Sequence, residues 1–155
     1  MVTGEDILGS WIMTGRGTDD DTDQALARLR YGDDSQGFMI FAPDGWMNAI
    51  VCWGGRPPLP GNPAWHSDAP IDDKIKAFDT YLSYGGQWTV ADSTLTTRVC
   101  YALNPGWVGG DQVRGLEMAP DGTLTLTLSR AWPDGRMMRG WVQWRKAASA
   151  SLHGN

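Results

Sequence analysis

The run NPGWVGGDQVRGLEM, Asn104 to Met118, sets a guanidinium, Arg114, and a carboxylate, Glu117, in an alternating, largely apolar segment. Charges among apolar neighbours need partners, either other protein groups or a ligand. Arg98 repeats the pattern in the run TLTTRVCYAL, with the phenol of Tyr101 close behind it. An arginine's planar fork suits a carboxylate or an enolate. The alternatives are an ion pair with Glu117 or an aspartate, or a surface arginine lying along its apolar stem. Regular strand parity puts Arg114 and Glu117 on opposite faces, unless a bulge at Gly115 intervenes. His66 is the one histidine outside the C-terminal tail. In a Pro/Gly-rich loop over a cavity mouth it would be a general acid or base near neutral pH; otherwise it is an exposed imidazole. Arg98 and Arg114 are thus the candidates for stabilising an oxyanion, and Tyr101, Glu117 and His66 the candidates for moving a proton.

Other chemistries lack their signatures. No His/Cys/Asp cluster has metal-ligand spacing, no Gly-x-Ser-x-Gly elbow occurs, and no Gly-rich phosphate loop joins a strand to a helix. The expectation is a protein without metal or organic cofactor. The acidic run at Asp19, Asp20, Asp21 and Asp23 lacks the glycine and terminal glutamate of a calcium loop and reads as a solvated connection. A net charge of −5 with no basic stripe argues against nucleic acid. No apolar run approaches the roughly 18 residues of a membrane span. The N-terminus has neither the basic nor the apolar region of a signal peptide, so a cytoplasmic location is expected. Cys52 and Cys100 then read as free thiols rather than a disulfide.

Nine tryptophans in 155 residues supply large flat surfaces. They either line a pocket for a flat, greasy ligand or fill a core. Trp46, Trp88, Trp107 and Trp141, with Asn48 and Tyr84, are the candidates for ligand contact.

The length suits one domain. Period-two runs predict strands over Trp11–Gly15, Gly37–Ala42, Trp46–Trp53, Trp88–Val90, Leu95–Leu103, Gln112–Met118, Thr123–Ser129 and Met137–Lys146. Pro43-Asp44-Gly45 and Pro120-Asp121-Gly122 predict tight turns. About eight strands in meander order suit a closed antiparallel barrel. Between them, Asp23–Arg30 is a candidate short helix. Pro70–Tyr84 is predicted helical, with Ile71, Ile75, Phe78 and Leu82 on one face and Tyr81 and Tyr84 at its end. Those two phenols either reach the barrel or pack against it. The domain is expected to span residues 1–146, with a frayed tail beyond.

The segments GSW, GFMIFAPDGWM, FDTYLSYGGQWTV, NPGWVGGDQVRGLEM and WVQWRK, in that order, resemble the bacterial and fungal lipocalin-like domain family from about Ile7 to Lys146. The resemblance implies an eight-stranded barrel with a central ligand cavity and fixes no chemistry. The chain departs from the family pattern at Thr97, Arg98 and Cys100, where histidine and an acidic residue are common, and at Trp46, often histidine. Chemistry resting on those histidines is therefore not implied.

Parity groups Arg98 with Cys100 and Ala102, Gln112 with Arg114, Leu116 and Met118, and Trp46 with Asn48, Ile50 and Cys52. It does not say which set faces inward. The expectation is that Arg98, Arg114 and Asn48 point inward, with Tyr101 beside them. The function expected is cofactor-free acid/base isomerisation, cyclisation or elimination on a small apolar or aromatic molecule. The alternative is a non-catalytic carrier of such a ligand; a collapsed dimerisation domain comes third.

Overall fold

The computed structural model describes residues 1–18, 34–61, 68–131 and 135–148. The predicted helix at Asp23–Arg30, the acidic run, His66 and the end of the tail lie outside those residues.

Eight strands close into one antiparallel barrel in sequence order, and the last pairs with the first. They are β1 (Gly9–Thr18), β2 (Gln36–Phe41), β3 (Trp46–Cys52), β4 (Tyr81–Ala91), β5 (Thr94–Ala102), β6 (Asp111–Met118), β7 (Leu124–Ala131) and β8 (Met137–Lys146). A short helix α1 (Gly4–Ile7) precedes the barrel, and α2 (Ile71–Asp79) lies between β3 and β4. Among the described residues no helix is long and apolar enough to cross a membrane.

The tight turns gather at one end. Both Pro-Asp-Gly turns close with a glycine at positive φ, Gly45 at 84° and Gly122 at 82°, a conformation that other residues adopt at a cost. In the β4–β5 turn Asp92 and Ser93 both take positive φ, the pattern that matches strand twist in a two-residue hairpin. Ser93 also accepts the Val2 N–H on its hydroxyl and the Leu116 N–H on its carbonyl, tying the N-terminus to this end. Helix α1 adds Ile7, fully buried, whose carbonyl accepts the Trp11 indole N–H at 2.8 Å. Phe41 meets Trp88 edge-on at 5.2 Å. Helix α2 and a 3-10 turn at Pro105–Trp107 lie at the other end, the mouth.

Burial alternates along the strands and settles which face is internal. Trp11 and Met13, Met39 and Phe41, Met47 and Ala49, Leu95, Thr97 and Val99, and Leu124 and Leu126 are buried. In β8 the inner set is Met138, Gly140, Val142 and Trp144, because Trp144 is buried and Val142 packs on the core.

Two register shifts interrupt the alternation. Between Gly85 and Gly86 of β4 the pairing steps from Tyr101 to Val99, leaving Cys100 of β5 as the extra residue. Glycine is required here, since a Cβ on Gly86 would lie 1.9 Å from the Arg98 carbonyl oxygen. Between Met13 and Gly15 a second shift leaves Thr14 unpaired.

The helix prediction needs correction. Helix α2 stops at Asp79, and Tyr81, Leu82 and Tyr84 belong to β4, paired with Cys52, Val51 and Ala49. Leu82 matched the helical spacing by coincidence; its neighbours alternate as a strand. Pro70 is the N-cap rather than a first-turn residue. The predicted apolar face of the helix is exposed at Ile71, Ile75 and Phe78. Cys52 and Cys100 are free thiols, each half-buried.

Candidate functional site

The polar groups of the interior come mainly from β4, β5 and β6. Gln112 and Arg114 share the inner face of β6 with buried Leu116. The Arg114 guanidinium donates to Gln112 Oε1 at 2.8 Å and to the Val113 carbonyl at 2.7 Å. Both acceptors are neutral, and among the described residues no carboxylate pairs with Arg114. Gln112 stands opposite Thr97. Thr97 is fully buried, and its hydroxyl has no hydrogen-bond partner among the described residues. Tyr84 is buried on the inner face of β4, and its ring meets Trp107 edge-on at 6.0 Å. Burial pushes the Tyr84 phenol above the usual tyrosine range, while the positive charge of Arg114 offsets part of the rise. The interior therefore sets a cation, a phenol held neutral, an amide and a hydroxyl among apolar walls.

Arg114, Tyr84, Trp88 and Trp107 of the sequence-predicted set stand on or against this core. His66 lies outside the described residues, and the others do not join them. Arg98 is 60% exposed and pairs with Asp111 at 3.3 Å on the outer face, which corrects its expected inward position. Tyr101 is 73% exposed, because the extra residue at Cys100 reverses parity and turns Ala102 inward in its place. Glu117 is exposed, on the face opposite Leu116. Asn48 is on the outer face too, where its amide donates to the Tyr84 carbonyl at 3.4 Å. Trp46 is 41% exposed and offers its carbonyl to the Trp88 indole N–H. Trp141 lies outside against Gly17, where a Cβ would come within 2.6 Å of its ring.

Sequence reasoning passed over three inner-face residues. Gln112 was legible from its parity with Arg114. Thr97 is a polar residue in a strand otherwise set by its apolar neighbours. Arg16 turns to the inner side only because of the register shift beyond Met13, where it pairs with inward Val142; the glycines of TGRGT were the signal.

At the mouth, a cleft of about 250 Å³ runs between the end of α2, the start of β4 and the turn carrying Trp107. Among the described residues no group of His, Cys, Asp and Glu is arranged to hold a metal ion.

Comparison with known proteins agrees with this architecture. No curated protein matches the chain in sequence. A solved structure of a redesigned β-barrel matches over 91% of this chain and 93% of its own at 15% identity, with a TM-score of 0.40, too distant a likeness to bear on function. The model of the lipocalin-like domain matches residues 8–147, from just before β1 to the end of β8. The chain belongs to the lipocalin-like domain family.

Proposed function

We propose that the barrel interior binds a small, largely apolar molecule carrying one oxyanion or carbonyl oxygen, with Arg114 as its principal polar contact. The observation that carries this reading is a half-buried guanidinium on an inner strand face, held, among the described residues, by neutral acceptors. Keeping a cation in such a place is costly without an anionic partner, and a ligand carboxylate or enolate supplies one. Tyr84 adds a neutral O–H donor, and the Met, Leu and Val side chains around them suit an apolar body.

Binding takes precedence over chemistry. Among the described residues the inner face carries no carboxylate or histidine to act as a base, and Tyr101 and Glu117 stand outside. A second reading rests on Tyr84. Burial keeps its proton in place beside a cation, so the pair suits protonation of an enolate, the acid half of an isomerisation.

The test is a fluorescence titration with an arylalkyl carboxylic acid and with the primary alcohol of the same skeleton. The expected result is saturable quenching, with the acid binding about tenfold tighter. Equal affinities would remove the role given to Arg114. Mass spectrometry of the recovered ligand separates the two readings: unchanged ligand supports binding alone, and conversion supports the second.

A further inference from the structure

The mouth cleft has a different chemistry from the interior. Its walls include four aromatic rings, Trp53, Phe78, Tyr81 and Trp107. Among the described residues Asp79 is the one charged residue lining it. Asp79 is also the last residue of α2, at the negative end of the helix dipole, where the Lys76 carbonyl accepts from the Thr80 N–H and the Ala77 carbonyl from Arg56. A carboxylate at that end of a helix is electrostatically unfavourable, and Lys76 in the last turn and Arg56 beside it offset part of the charge. Among the described residues Asp79 makes no ion pair or side-chain hydrogen bond.

The protein's own chain shows what this neighbourhood holds. The Arg56 guanidinium lies 4.9 Å from the Tyr81 ring centroid, and donates to the Ala77 carbonyl and the Thr80 hydroxyl at the end of α2. Arg56 thus occupies an aromatic face and the helix end together, yet it is not part of the cleft wall. Beside it, the cleft adds the rings of Trp53, Phe78 and Trp107 and the Asp79 carboxylate.

We propose that the mouth cleft is a second binding site, for a small organic cation of the alkylammonium class. Aromatic faces attract such a cation through their quadrupoles, and Asp79 supplies the counter-charge. About 250 Å³ has room for a trimethylammonium group with a short tail. This site makes no use of Arg114, although it shares Trp107, whose ring meets Tyr84.

The probe is choline, compared with 3,3-dimethylbutan-1-ol, a neutral molecule of nearly the same shape. Binding is followed by the shifts of the tryptophan indole N–H resonances. Choline is expected to saturate shifts at Trp53 and Trp107, with the alcohol about tenfold weaker. Asp79→Asn, an exposed and nearly isosteric change, is expected to weaken choline about tenfold and leave the alcohol unchanged. Trp107→Leu weakens both, with circular dichroism confirming the fold. Equal affinity of choline and the alcohol, unchanged choline affinity in Asp79→Asn, or no saturable shift would each overturn the proposal. Failure of the interior reading leaves all of these outcomes as they are, because choline carries no acid group.

Discussion

Two parts of the barrel interior solve different problems. At the closed end Ile7, Trp11, Phe41, Leu95 and Leu124 are all within 1% of complete burial, and the Trp11 indole N–H finds a carbonyl inside the core. On the same inner faces, Arg114, opposite Leu95, and Gln112 are only half-buried, and the Thr97 hydroxyl has no partner among the described residues. A packed apolar plug contributes stability in proportion to the surface it removes from water. Polar groups held in the interior subtract from stability and are retained where they have a ligand to meet. Substitutions should therefore divide sharply between the apolar plug and the polar patch.

The largest effect belongs to the plug. Trp11→Ala should cost about 4 kcal/mol in chemical denaturation, through lost transfer energy and the cavity left behind. Gly86→Ala comes next, at about 3 kcal/mol, because the new Cβ collides with the Arg98 carbonyl oxygen and the backbone of two strands must shift. A near-native midpoint for either variant would show that the register shift or the plug matters less than its geometry implies.

Tyr84→Phe sharpens the comparison through pH. The folded-state pKa of Tyr84 is raised, so its contribution is complete below the unfolded value near pH 10 and is lost as pH rises through the raised value. Wild type should therefore lose stability above about pH 10 relative to the phenylalanine variant. Parallel alkaline unfolding curves would place the phenol in contact with solvent.

The smallest effect sits at the N-terminus. The Thr3 backbone N–H, and then its hydroxyl, hold the Asp6 carboxyl below the usual range. With a depressed folded pKa, the contribution is present above about pH 4 and disappears as pH falls through the lowered value. Asp6→Asn should lower Tm slightly at neutral pH, and the gap should close in acid. A gap that persists in acid would mean the carboxylate's charge plays no part.

Much of the fold could be read from residues alone. The hairpin GFMIFAPDGWMNAIVCW has period-two alternation on both sides of a Pro-Asp-Gly turn, and β2 and β3 formed almost as predicted. The start of β4 was lost because Phe78 and Leu82 happen to keep helical spacing across a helix end. The site was less legible, for two reasons. The outer face is apolar in places, with Ile12, Phe38 and Ile40 exposed, so hydrophobicity does not mark the interior. The register shifts at Gly85–Gly86 and Met13–Gly15 then reverse parity within a strand, moving Tyr101 out and Arg16 in. Arg98 and Arg114 look equivalent in sequence, and only the closed barrel tells them apart.

That pair supplies the most direct test. The affinity of the arylalkyl acid would be measured by isothermal titration calorimetry for wild type, Arg114→Met and Arg98→Met. The account predicts a loss of about tenfold or more for Arg114→Met and no change for Arg98→Met. Equal losses, or a loss confined to Arg98→Met, would contradict the assignment of the inner arginine to the ligand.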